Sequence, residues 1–526
     1  MEIARIGDGS AEQYSVDMVG GKAANLARVA ALGLPVPPAF VLPISLCAAT
    51  VKGDASAIRN LADGLTEGIE FLENTTGRRF GDRWRPLLVS VRSGAARSMP
   101  GMLDTVLNVG CTPSAVRGLV RMTGNPHLAS DCRRRFLESY GAVVLGIDPA
   151  AFIGKRDEIV AAEDASSERA LDGEALERLA TAYEQVIEEE EHVLSEDPMD
   201  QLKSAAQAVF RSWMSDRACT YRRLEHLEDL QGTAVTVQAM VFGNAGASSG
   251  AGVAFSRDPS TGAARPVIDV LFESQGEDVV SGGHNPETEE AIIRSLPEIG
   301  RQLREALRRL EQDFADIQDV EFTIENGKLW ILQTRAAKRT PQAALRLAID
   351  FVNEGRVAPA EALRRLDGVD LRKLVSNRLI MVDAPVAHGI CASAGVAVGR
   401  AAFDPESVAR LAASGDPVIL VRPATTTADV GGFAVAAGIV TAIGGRTAHA
   451  ALVARQLGKP CIVGCTTLSI DVARRCAQLA GIAIKEGDWL SIDGEAGAIY
   501  LGRGSIVAER LDAELAEIER WHAAAA

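Results

Sequence analysis

The sequence lacks a membrane-spanning run, a secretion signal and an excess of positive charge. No stretch of its 526 residues approaches the roughly 18 uninterrupted apolar residues of a membrane-spanning helix. The N-terminus MEIARIGDGS has no apolar segment of the signal-peptide kind. The formal net charge of -15 argues against nucleic acid or an anionic membrane as the main partner. We therefore expect a cytoplasmic protein that binds neither.

The sequence also has no cysteine pattern typical of a metal site and no internal repeat. The eight cysteines are scattered, and the two closest, Cys461 and Cys465, have no second pair that would complete a zinc site. We interpret them as buried free thiols in a reducing compartment. No repeat of fixed period is present. The 47% hydrophobic and 24% charged residues are typical of globular proteins, and the length is enough for three or four domains.

The order of strand-like and helix-like segments predicts several mixed domains. Residues 232–335 are strand-like, with a Gly/Ser loop at 243–252 and a hairpin at 319–335. The segments 150–230 and 341–387 are expected to be helical, the second as a connector. A second globular unit is expected from 388 to 505. One helical stripe is predicted at the C-terminus, formed by Val507, Leu511, Leu515, Ile518 and Trp521.

One histidine is predicted at the start of a helix. In GGRTAHAALVARQLGKP (444–460), Thr447 occupies the expected N-cap position and a helix over 448–457 ends at Gly458. His449 would then lie in the first turn, where free amides and the positive helix end favour an attached phosphate. Neutral imidazole is a nucleophile. From the residues alone, an incidental surface histidine in a capping turn is the alternative.

Two basic residues in the first part of the chain are candidates for holding a polyphosphate. Lys22 follows Gly20-Gly21 at a predicted helix start, and Arg92 ends the predicted buried strand at 86–94. An arginine beside a core is costly unless it has a partner or a ligand. A kinase needs such cations to neutralise the charge that develops during phosphoryl transfer. A solvent-exposed lysine is the alternative for Lys22.

Two carboxylates on the predicted hairpin suit Mg²⁺. Asp319 and Glu321 are two residues apart on one strand and therefore point to one face. A three-residue turn at 325–327, with Gly327 left-handed, would pair Asp319 with Gln333 and bring Arg335 to the same face. A two-residue turn at Asn326-Gly327 would put Gln333 on the opposite face. We predict the three-residue turn; a merely solvent-facing side of the hairpin is the alternative.

These segments resemble those of the pyruvate phosphate dikinase family, among the phosphoenolpyruvate-utilising enzymes. The His449 segment resembles the phosphohistidine signature Gly-Gly-x-Thr-x-His-Ala-Ala, followed by Val453-Ala454-Arg455. The resemblance covers roughly residues 1–505. Other matching stretches are GGKAANLA (20–27), SVRSGAARSMPGMLDTVLN (90–108), RRFLESYG (134–141), GTAVTVQAMVFGN (232–244), GAGVAFSRDPSTG (250–262), QGEDVV (275–280) and QDVEFTIENGKLWILQTR (318–335).

The resemblance implies a set of roles. The fold would be α/β and α+β multidomain, with an ATP-grasp nucleotide domain (1–340), a helical connector, and a swivelling β/β/α phosphohistidine domain (388–505) before a C-terminal helix (506–526). His449 would be the catalytic nucleophile, and Thr447 matches a position at which some dikinases are regulated by phosphorylation. Capping is the alternative for Thr447. The remaining implied residues are Lys22, Arg92, Gln333 and Arg335 on the phosphates, Asp319 and Glu321 on Mg²⁺, Arg135 as a catalytic helper, Gln238, Met240 and Val241 at the adenine, and Glu277 near the site.

The sequence also departs from the family pattern. Arg446 stands where the signature usually has methionine, and Ala424 stands where a glutamate is usual. The family's C-terminal (β/α)8 barrel, which binds pyruvate, needs at least ~200 residues, and few follow Tyr500. We therefore expect a separate barrel-domain protein to complete the pyruvate reaction.

The implied reaction uses ATP, Mg²⁺ and phosphate to phosphorylate His449, releasing AMP and pyrophosphate, before transfer to pyruvate to form phosphoenolpyruvate. Transfer to another small molecule, with water in place of phosphate, is one alternative. A phosphohistidine carrier or regulatory protein is another. A homodimer is a further assembly that this sequence allows.

Overall fold

The computed structural model describes residues 3–525 except 98, 100, 101, 281–283, 372, 373, 382, 426–428 and 447. The chain forms two compact units, one of Met1–Ala245 with Trp330–Thr334, the other of Gly246–Leu329 with Arg335–Ala526. The predicted mixture of α/β and α+β architecture is confirmed. Among the described helices, none has the length and apolar character needed to cross a bilayer.

The first unit is built on a five-stranded antiparallel sheet in the order β1-β2-β7-β5-β6. Its core lies between this sheet and helices α3, α5 and α8. The elements are β1 (Ala4–Ile6), α1 (Val16–Ala31), β2 (Ala39–Leu42), α2 (Cys47–Val51), α3 (Ala55–Thr76), β3 (Arg79–Phe80), β4 (Pro86–Leu87), β5 (Val89–Gly94), β6 (Thr105–Val109), α4 (Pro113–Thr123), α5 (Pro126–Tyr140), α6 (Pro149–Ala162), α7 (Gly173–Glu189), α8 (Pro198–Ser212), α9 (Asp216–Leu224) and β7 (Ala234–Ala239).

Aspartates start three of the helices between residues 148 and 212. The side chains of Asp148, Asp172 and Asp197 each accept a hydrogen bond from a backbone amide in the first turn of α6, α7 and α8. Proline follows two of them, where its fixed φ suits the first helical position. Local sequence therefore defines where these helices begin.

The second unit contains the strands β10-β9-β8-β11 of a five-stranded sheet, in which β12 follows β11, and an eight-stranded sheet, β14-β24-β23-β16-β17-β18-β19-β15. Residues Trp330–Thr334 of β12 are counted with the first unit. The elements are β8 (Gly250–Phe255), β9 (Val267–Phe272), α10 (Gly276–Val280), β10 (Glu287–Thr288), α11 (Glu289–Ser295), α12 (Pro297–Phe314), β11 (Gln318–Glu325), β12 (Lys328–Ala336), α13 (Pro341–Asn353), α14 (Pro359–Arg365), β13 (Val375–Ile380), β14 (Ala387–His388), β15 (Ile390–Ser393), β16 (Val396–Ala402), α15 (Pro405–Ala413), β17 (Val418–Arg422), α16 (Val430–Val435), β18 (Gly438–Thr441), α17 (His449–Leu457), β19 (Cys461–Val463), β20 (Leu468–Asp471), β21 (Cys476–Leu479), β22 (Ile482–Lys485), β23 (Trp489–Asp493), β24 (Ala498–Leu501), β25 (Ser505–Arg510) and α18 (Asp512–Ala525).

The eight-stranded sheet is buried on both faces at its parallel centre. Ile419 and Val421 of β17 pack in a cluster on one face, while Val418 and Leu420 pack on the other with α16 and α17. Strands buried on both faces read as continuous apolar runs, which explains the sequence PVILVRP. The small residues Ala450, Ala451 and Ala454 allow α17 to lie directly on the sheet.

The predicted three-residue turn at 325–327 is wrong. β11 ends at Glu325 and β12 begins at Lys328, and both Asn326 (φ 48) and Gly327 (φ 72) are left-handed. This is the two-residue type I′ geometry that Asn-Gly favours, because its twist matches that of the strands. Gly327 is left-handed as predicted.

The register of the hairpin changes along its length. A regular ladder from the two-residue turn would place Ile317 opposite Ala336, but the amide of Ala337 donates to the carbonyl of Ile317 at 3.0 Å. Gln333 and Thr334 are both buried in succession, which breaks the alternation of the strand. One extra residue in β12 therefore produces a bulge, which turns subsequent side chains to the other face.

Three further boundaries differ from the predictions. The connector at 341–387 is not helical throughout, because 375–380 forms β13. The C-terminal segment is not one helix, because 505–510 forms β25, which pairs with β13 before α18 begins at Asp512. The Gly/Ser loop ends at Ser249, since Gly250 and Gly252 belong to β8. In each case pairing with a distant strand overrides local preference.

The terminal helix α18 packs on the connector helices. Ile518 and Trp521 are buried with Leu345, Leu366 and Ala362. We expect Trp521→Ala to cost about 3–5 kcal/mol of stability, because it removes a buried aromatic. The measurement is the urea midpoint of the transition that includes α18, followed by circular dichroism. Trp84→Ala, at a tryptophan that is 56% exposed, is the control, and an equal effect of the two substitutions would contradict the packing.

Candidate nucleotide and phosphohistidine site

His449 is the first residue of α17. The N-cap is Ala448, with no side-chain cap hydrogen bond, and Gly458 ends the helix with φ 64. The predicted N-cap at Thr447 is therefore one residue early, since the amide of Ala448 closes a turn onto the carbonyl of Gly445 at 3.1 Å. Thr447 itself lies outside the described residues. The first-turn amides of α17 thus begin at the histidine, a position that favours an attached anion.

Lys22 is placed by a break inside α1. Gly20 has φ 79 and ψ 161, which interrupts the helix, so a new helical segment starts directly before Lys22. A Cβ on Gly20 would lie 2.0 Å from the carbonyl oxygen of Gly94, the last residue of β5. The amide of Gly21 donates to the carbonyl of Ala95 at 3.0 Å. Only glycine allows this approach, which joins the Lys22 segment to the end of the strand that carries Arg92.

Arg92 and Gln238 share one face of the first-unit sheet. Arg92 lies opposite Thr236, and Ser90 lies opposite Gln238; paired residues share a face and residues two apart along β7 do as well. Gln238 is buried, and its side-chain Nε2 donates to the carbonyl of Pro37 at 3.3 Å. This face therefore carries the predicted phosphate residue and one predicted adenine residue together.

Thr236 is a residue of this face that the sequence did not identify. It is 6% exposed, and its Oγ1 has no partner among the described residues. Its position two residues before Gln238 on an alternating strand was the available signal. A buried hydroxyl without a partner is unfavourable, and a ligand on this face would satisfy it.

The predicted adenine residues Met240 and Val241 lie just beyond β7. The strand ends at Ala239, and the amide of Met240 donates to the carbonyl of Leu88 at 2.9 Å. Both side chains are partly exposed. Of the three residues implied at the adenine, only Gln238 therefore lies on β7, and Met240 and Val241 form the start of the loop that follows.

Arg135 is held by a buried aspartate one helical turn away. Its Nε lies 3.0 Å from Asp131 Oδ2, and Arg134 lies 2.7 Å from Asp131 Oδ1. Burial alone would raise the pKa of Asp131, but Arg135 and Arg134 together hold it well below its usual range. Asn244, in the loop after β7, donates to Asp131 at 2.6 Å. Asp131 thus links Arg135 to the base of the Gly/Ser loop.

Asp319, Glu321 and Arg335 interact in the second unit. Arg335 Nε donates to Asp319 Oδ2 at 2.8 Å, and the charge of Glu321 acts on both Asp319 and Arg335. Burial raises the pKa of Asp319, against the opposing effect of Arg335. The three-residue turn was expected to pair Asp319 with Gln333 and to bring Arg335 to the same face. The bulge in β12 instead brings Arg335 into contact with Asp319.

The two carboxylates fit a hard cation. Asp319 Oδ1 is buried and has no partner among the described residues, and an oxygen in that state suits Mg²⁺. No group of three or more potential ligands occurs in the part of the chain that the structure describes. Magnesium enzymes that act on nucleotides commonly hold the ion by one or two carboxylates and the phosphates of the substrate.

The other predicted residues lie as follows. Gln333 is 5% exposed and belongs to the Trp330–Thr334 stretch of the first unit. Glu277 is exposed in the first turn of α10 in the second unit. The roles predicted for these two residues remain predictions.

Two family profiles match this chain. The profile described as the AMP/ATP-binding domain of pyruvate phosphate dikinase matches residues 57–299 and 296–355, which together are more than half of the chain. The mobile domain of PEP-utilising enzymes matches residues 415–497, which include His449. This chain belongs to the pyruvate phosphate dikinase family.

Curated members of the family are similar along nearly the whole chain. Pyruvate, phosphate dikinase 2 of Zea mays is 39% identical over 96% of this chain and 58% of its own length. The enzyme of Rhizobium meliloti is 40% identical over 98% of this chain and 59% of its own. That of Clostridium symbiosum is 39% identical over 92% and 56%. The chain therefore spans somewhat more than half the length of these pyruvate phosphate dikinases.

The contact at Gly20 predicts a difference between two left-handed glycines. A Cβ added to Gly33, which has φ 69, would meet no atom within 4 Å, whereas a Cβ added to Gly20 would collide with the backbone of Gly94. Gly33→Ala should cost about 1 kcal/mol, from backbone strain alone. Gly20→Ala should cost more, because the backbone of Gly94 must move, and by displacing Lys22 it should also weaken the ATP binding that the family resemblance implies for that residue. Thermal unfolding and calorimetric ATP titration of both variants test this, and similar behaviour of the two would contradict it.

Asp131 predicts an acid-sensitive contribution to stability. Because its folded pKa is depressed, this contribution is complete above the unfolded value of about 3.9 and is lost as pH falls below it. Asp131→Asn should cost about 3–5 kcal/mol at pH 7, because it breaks a buried ion pair, and the difference from wild type should shrink below about pH 4. Urea midpoints across pH measure this. Asp157→Asn, at a carboxylate that is 65% exposed, should change little.

Proposed function

We propose that this chain carries the ATP half-reaction of a pyruvate phosphate dikinase. His449 attacks the β-phosphoryl group of ATP, which breaks the bond to the α-phosphoryl group and releases AMP. The pyrophosphorylated histidine then gives its terminal phosphoryl group to inorganic phosphate. Pyrophosphate leaves and phosphohistidine remains.

The observation that carries this proposal is the presence in one chain of both family parts. The segment that matches an AMP/ATP-binding domain is followed by one that matches the mobile domain of PEP-utilising enzymes, and His449 begins a helix without a side-chain cap in the latter. A helix start of this kind stabilises the negative charge of an attached phosphoryl group.

The proposed roles are those that the family resemblance implies, and local contacts support the roles of Arg335 and Arg135. Lys22 and Arg92 neutralise the phosphates from the first unit, with Gln333, while Gln238, Met240 and Val241 border the adenine. Arg335, oriented by Asp319, contacts the transferring group, and Arg135, oriented by Asp131, assists. Glu277 lies near the site. Positively charged groups that are held in place need no reorganisation during transfer.

Mg²⁺ is the proposed metal, with Asp319 and Glu321 as its protein ligands. When bound, the ion supplies Lewis-acid stabilisation of the phosphate oxygens. The protein residues position it: Arg335 occupies Asp319 Oδ2, which leaves Oδ1 for the cation.

The acceptor half of the reaction is proposed to take place on a barrel domain outside these 526 residues, supplied in trans. The phosphoryl group of His449 would pass there to pyruvate and yield phosphoenolpyruvate. Movement of the 388–505 domain on the 341–387 segment would connect the two halves. We place this reaction in the cytoplasm, and a homodimer is compatible with it.

A single labelling experiment tests the proposal. The purified chain is incubated with Mg²⁺ and β-labelled ATP, with and without phosphate, and AMP, pyrophosphate and acid-labile phosphoprotein are measured. We expect all three in the presence of phosphate, and His449→Ala should abolish the phosphoprotein. His388→Ala, at an exposed histidine of β14, is the control and should label normally.

Other outcomes separate the alternatives. Formation of ADP in place of AMP would contradict the dikinase reaction. Release of phosphate rather than pyrophosphate would indicate water as the acceptor. A stable phosphoprotein that neither pyruvate nor an added barrel domain discharges would favour a phosphocarrier role.

A further inference from the structure

The loop before His449 is bound to the sheet that carries Asp319. The amide of Arg446 donates to Asp269 Oδ2 at 2.6 Å, and its guanidinium Nη1 donates to Asp269 Oδ1 at 2.8 Å. The amide of Gly444 donates to Asn285 Oδ1 at 2.9 Å. Asp269 lies on β9 and is 2% exposed. One residue of the loop therefore uses both oxygens of a buried carboxylate.

Gly445 allows the loop to approach this closely. A Cβ at this position would lie 2.8 Å from Asp269 Oδ2 and 2.5 Å from the Pro286 ring. A larger residue would require the Pro286 ring or the Asp269 carboxylate to move. The loop is therefore shaped to sit against Asp269, which argues that this contact is specific.

The same loop residue is held from its other side by α17. Arg455 Nη2 donates to the carbonyl of Arg446 at 2.8 Å, and Arg455 Nη1 donates to the carbonyl of Ala392 at 3.0 Å. Arg455 is fully buried, 5.3 Å above the ring of Phe255 on β8. Arg446 thus has its amide, its side chain and its carbonyl all fixed, three residues before the histidine.

The side-chain half of this contact depends on a residue at which the sequence departs from the family signature. The family signature usually has methionine at 446, whose side chain has no N–H to donate. A methionine would keep the hydrogen bond from the backbone amide to Asp269 Oδ2. It would remove the guanidinium that donates to the buried Oδ1. The hydrogen bond from Nη1 to Asp269 Oδ1 is charge-assisted, and together with the backbone amide bound to Oδ2 it fixes the orientation of residue 446.

We propose that Arg446 and Asp269 are a positioning pair that sets the orientation of the His449 loop on the β8–β9–β11 sheet for phosphorylation by ATP. Arg446 acts through the loop and does not contact the reacting atoms. This inference rests on the proposed function, and it predicts an effect on the rate of histidine phosphorylation that is separate from ATP affinity.

The test compares Arg446→Met, Asp269→Asn and the double variant in the full chain. The rate of acid-labile labelling from β-labelled ATP is measured over a range of ATP concentrations, with hydrogen exchange of the residue-446 amide. For Arg446→Met we expect kcat for labelling to fall about tenfold with KM for ATP within about twofold of wild type. Exchange of the 446 amide should be faster. The double variant should be less impaired than the product of the single effects, since the two residues are coupled.

Two further variants complete the design. Arg446→Lys should recover part of the rate, because an ammonium retains the charge but not the planar guanidinium that directs Nη1 at Asp269 Oδ1. This variant also replaces Arg446→Met in the test if the methionine variant fails to fold. Arg400→Met is the matched control: Arg400 pairs with Asp416 at 3.0 Å within the eight-stranded-sheet region, with similar partial exposure. It should label at the wild-type rate.

Each remaining outcome decides against the pair. Wild-type rate and exchange in Arg446→Met, or faster labelling, would overturn the positioning role while leaving the proposed function intact. An increase in KM with kcat unchanged would also overturn it. Absence of phosphohistidine in the wild type would instead refute the proposed function, and the positioning role with it.

Discussion

Buried aspartates, each paired with an arginine side chain, organise the candidate site. Asp131, Asp269 and Asp319 are each almost fully buried, and each binds an arginine at close range. A carboxylate in such a place is very unfavourable alone, so its partner is held in one orientation. In each pair the arginine belongs to, or lies beside, a segment with a proposed role in phosphoryl transfer. The aspartates therefore determine where the positive groups lie before any nucleotide binds.

Phosphoryl transfer requires positive groups that are arranged in advance. Negative charge develops on the phosphoryl oxygens during transfer, and groups already in position stabilise it without reorganisation. Here each unit arranges its own set. In the first unit the contact between Gly20 and Gly94 joins the Lys22 segment to the Arg92 strand. In the second unit the bulge in β12 brings Arg335 to Asp319. In both units a backbone irregularity, rather than a regular helix or strand, positions the positively charged side chains.

Local patterns in the sequence were sufficient for the elements but not for these irregularities. The α17 helix, the buried strand at Arg92 and the left-handed Gly327 followed from capping, apolar runs and Asn-Gly. The turn length was wrong, because a bulge several residues away produced the same contact by another route. β13 and β25 were missed because each depends on a partner about 130 residues away. The partner of Arg446 lies 177 residues earlier in the chain, a separation that no local pattern reveals.

The pairing of β13 with β25 has a consequence for how the intervening region is attached. Six residue pairs, from Val375 with Arg510 to Ile380 with Ser505, bind the two strands side by side, so their backbones are about 5 Å apart. The whole segment between them, including the His449 helix, therefore leaves and returns through a single two-stranded ribbon. The adjoining ends of this ribbon make the segment one that can be exchanged or circularly permuted at a single place in the chain, while the bonds of its 444–446 loop to Asp269 and Asn285 form a further attachment.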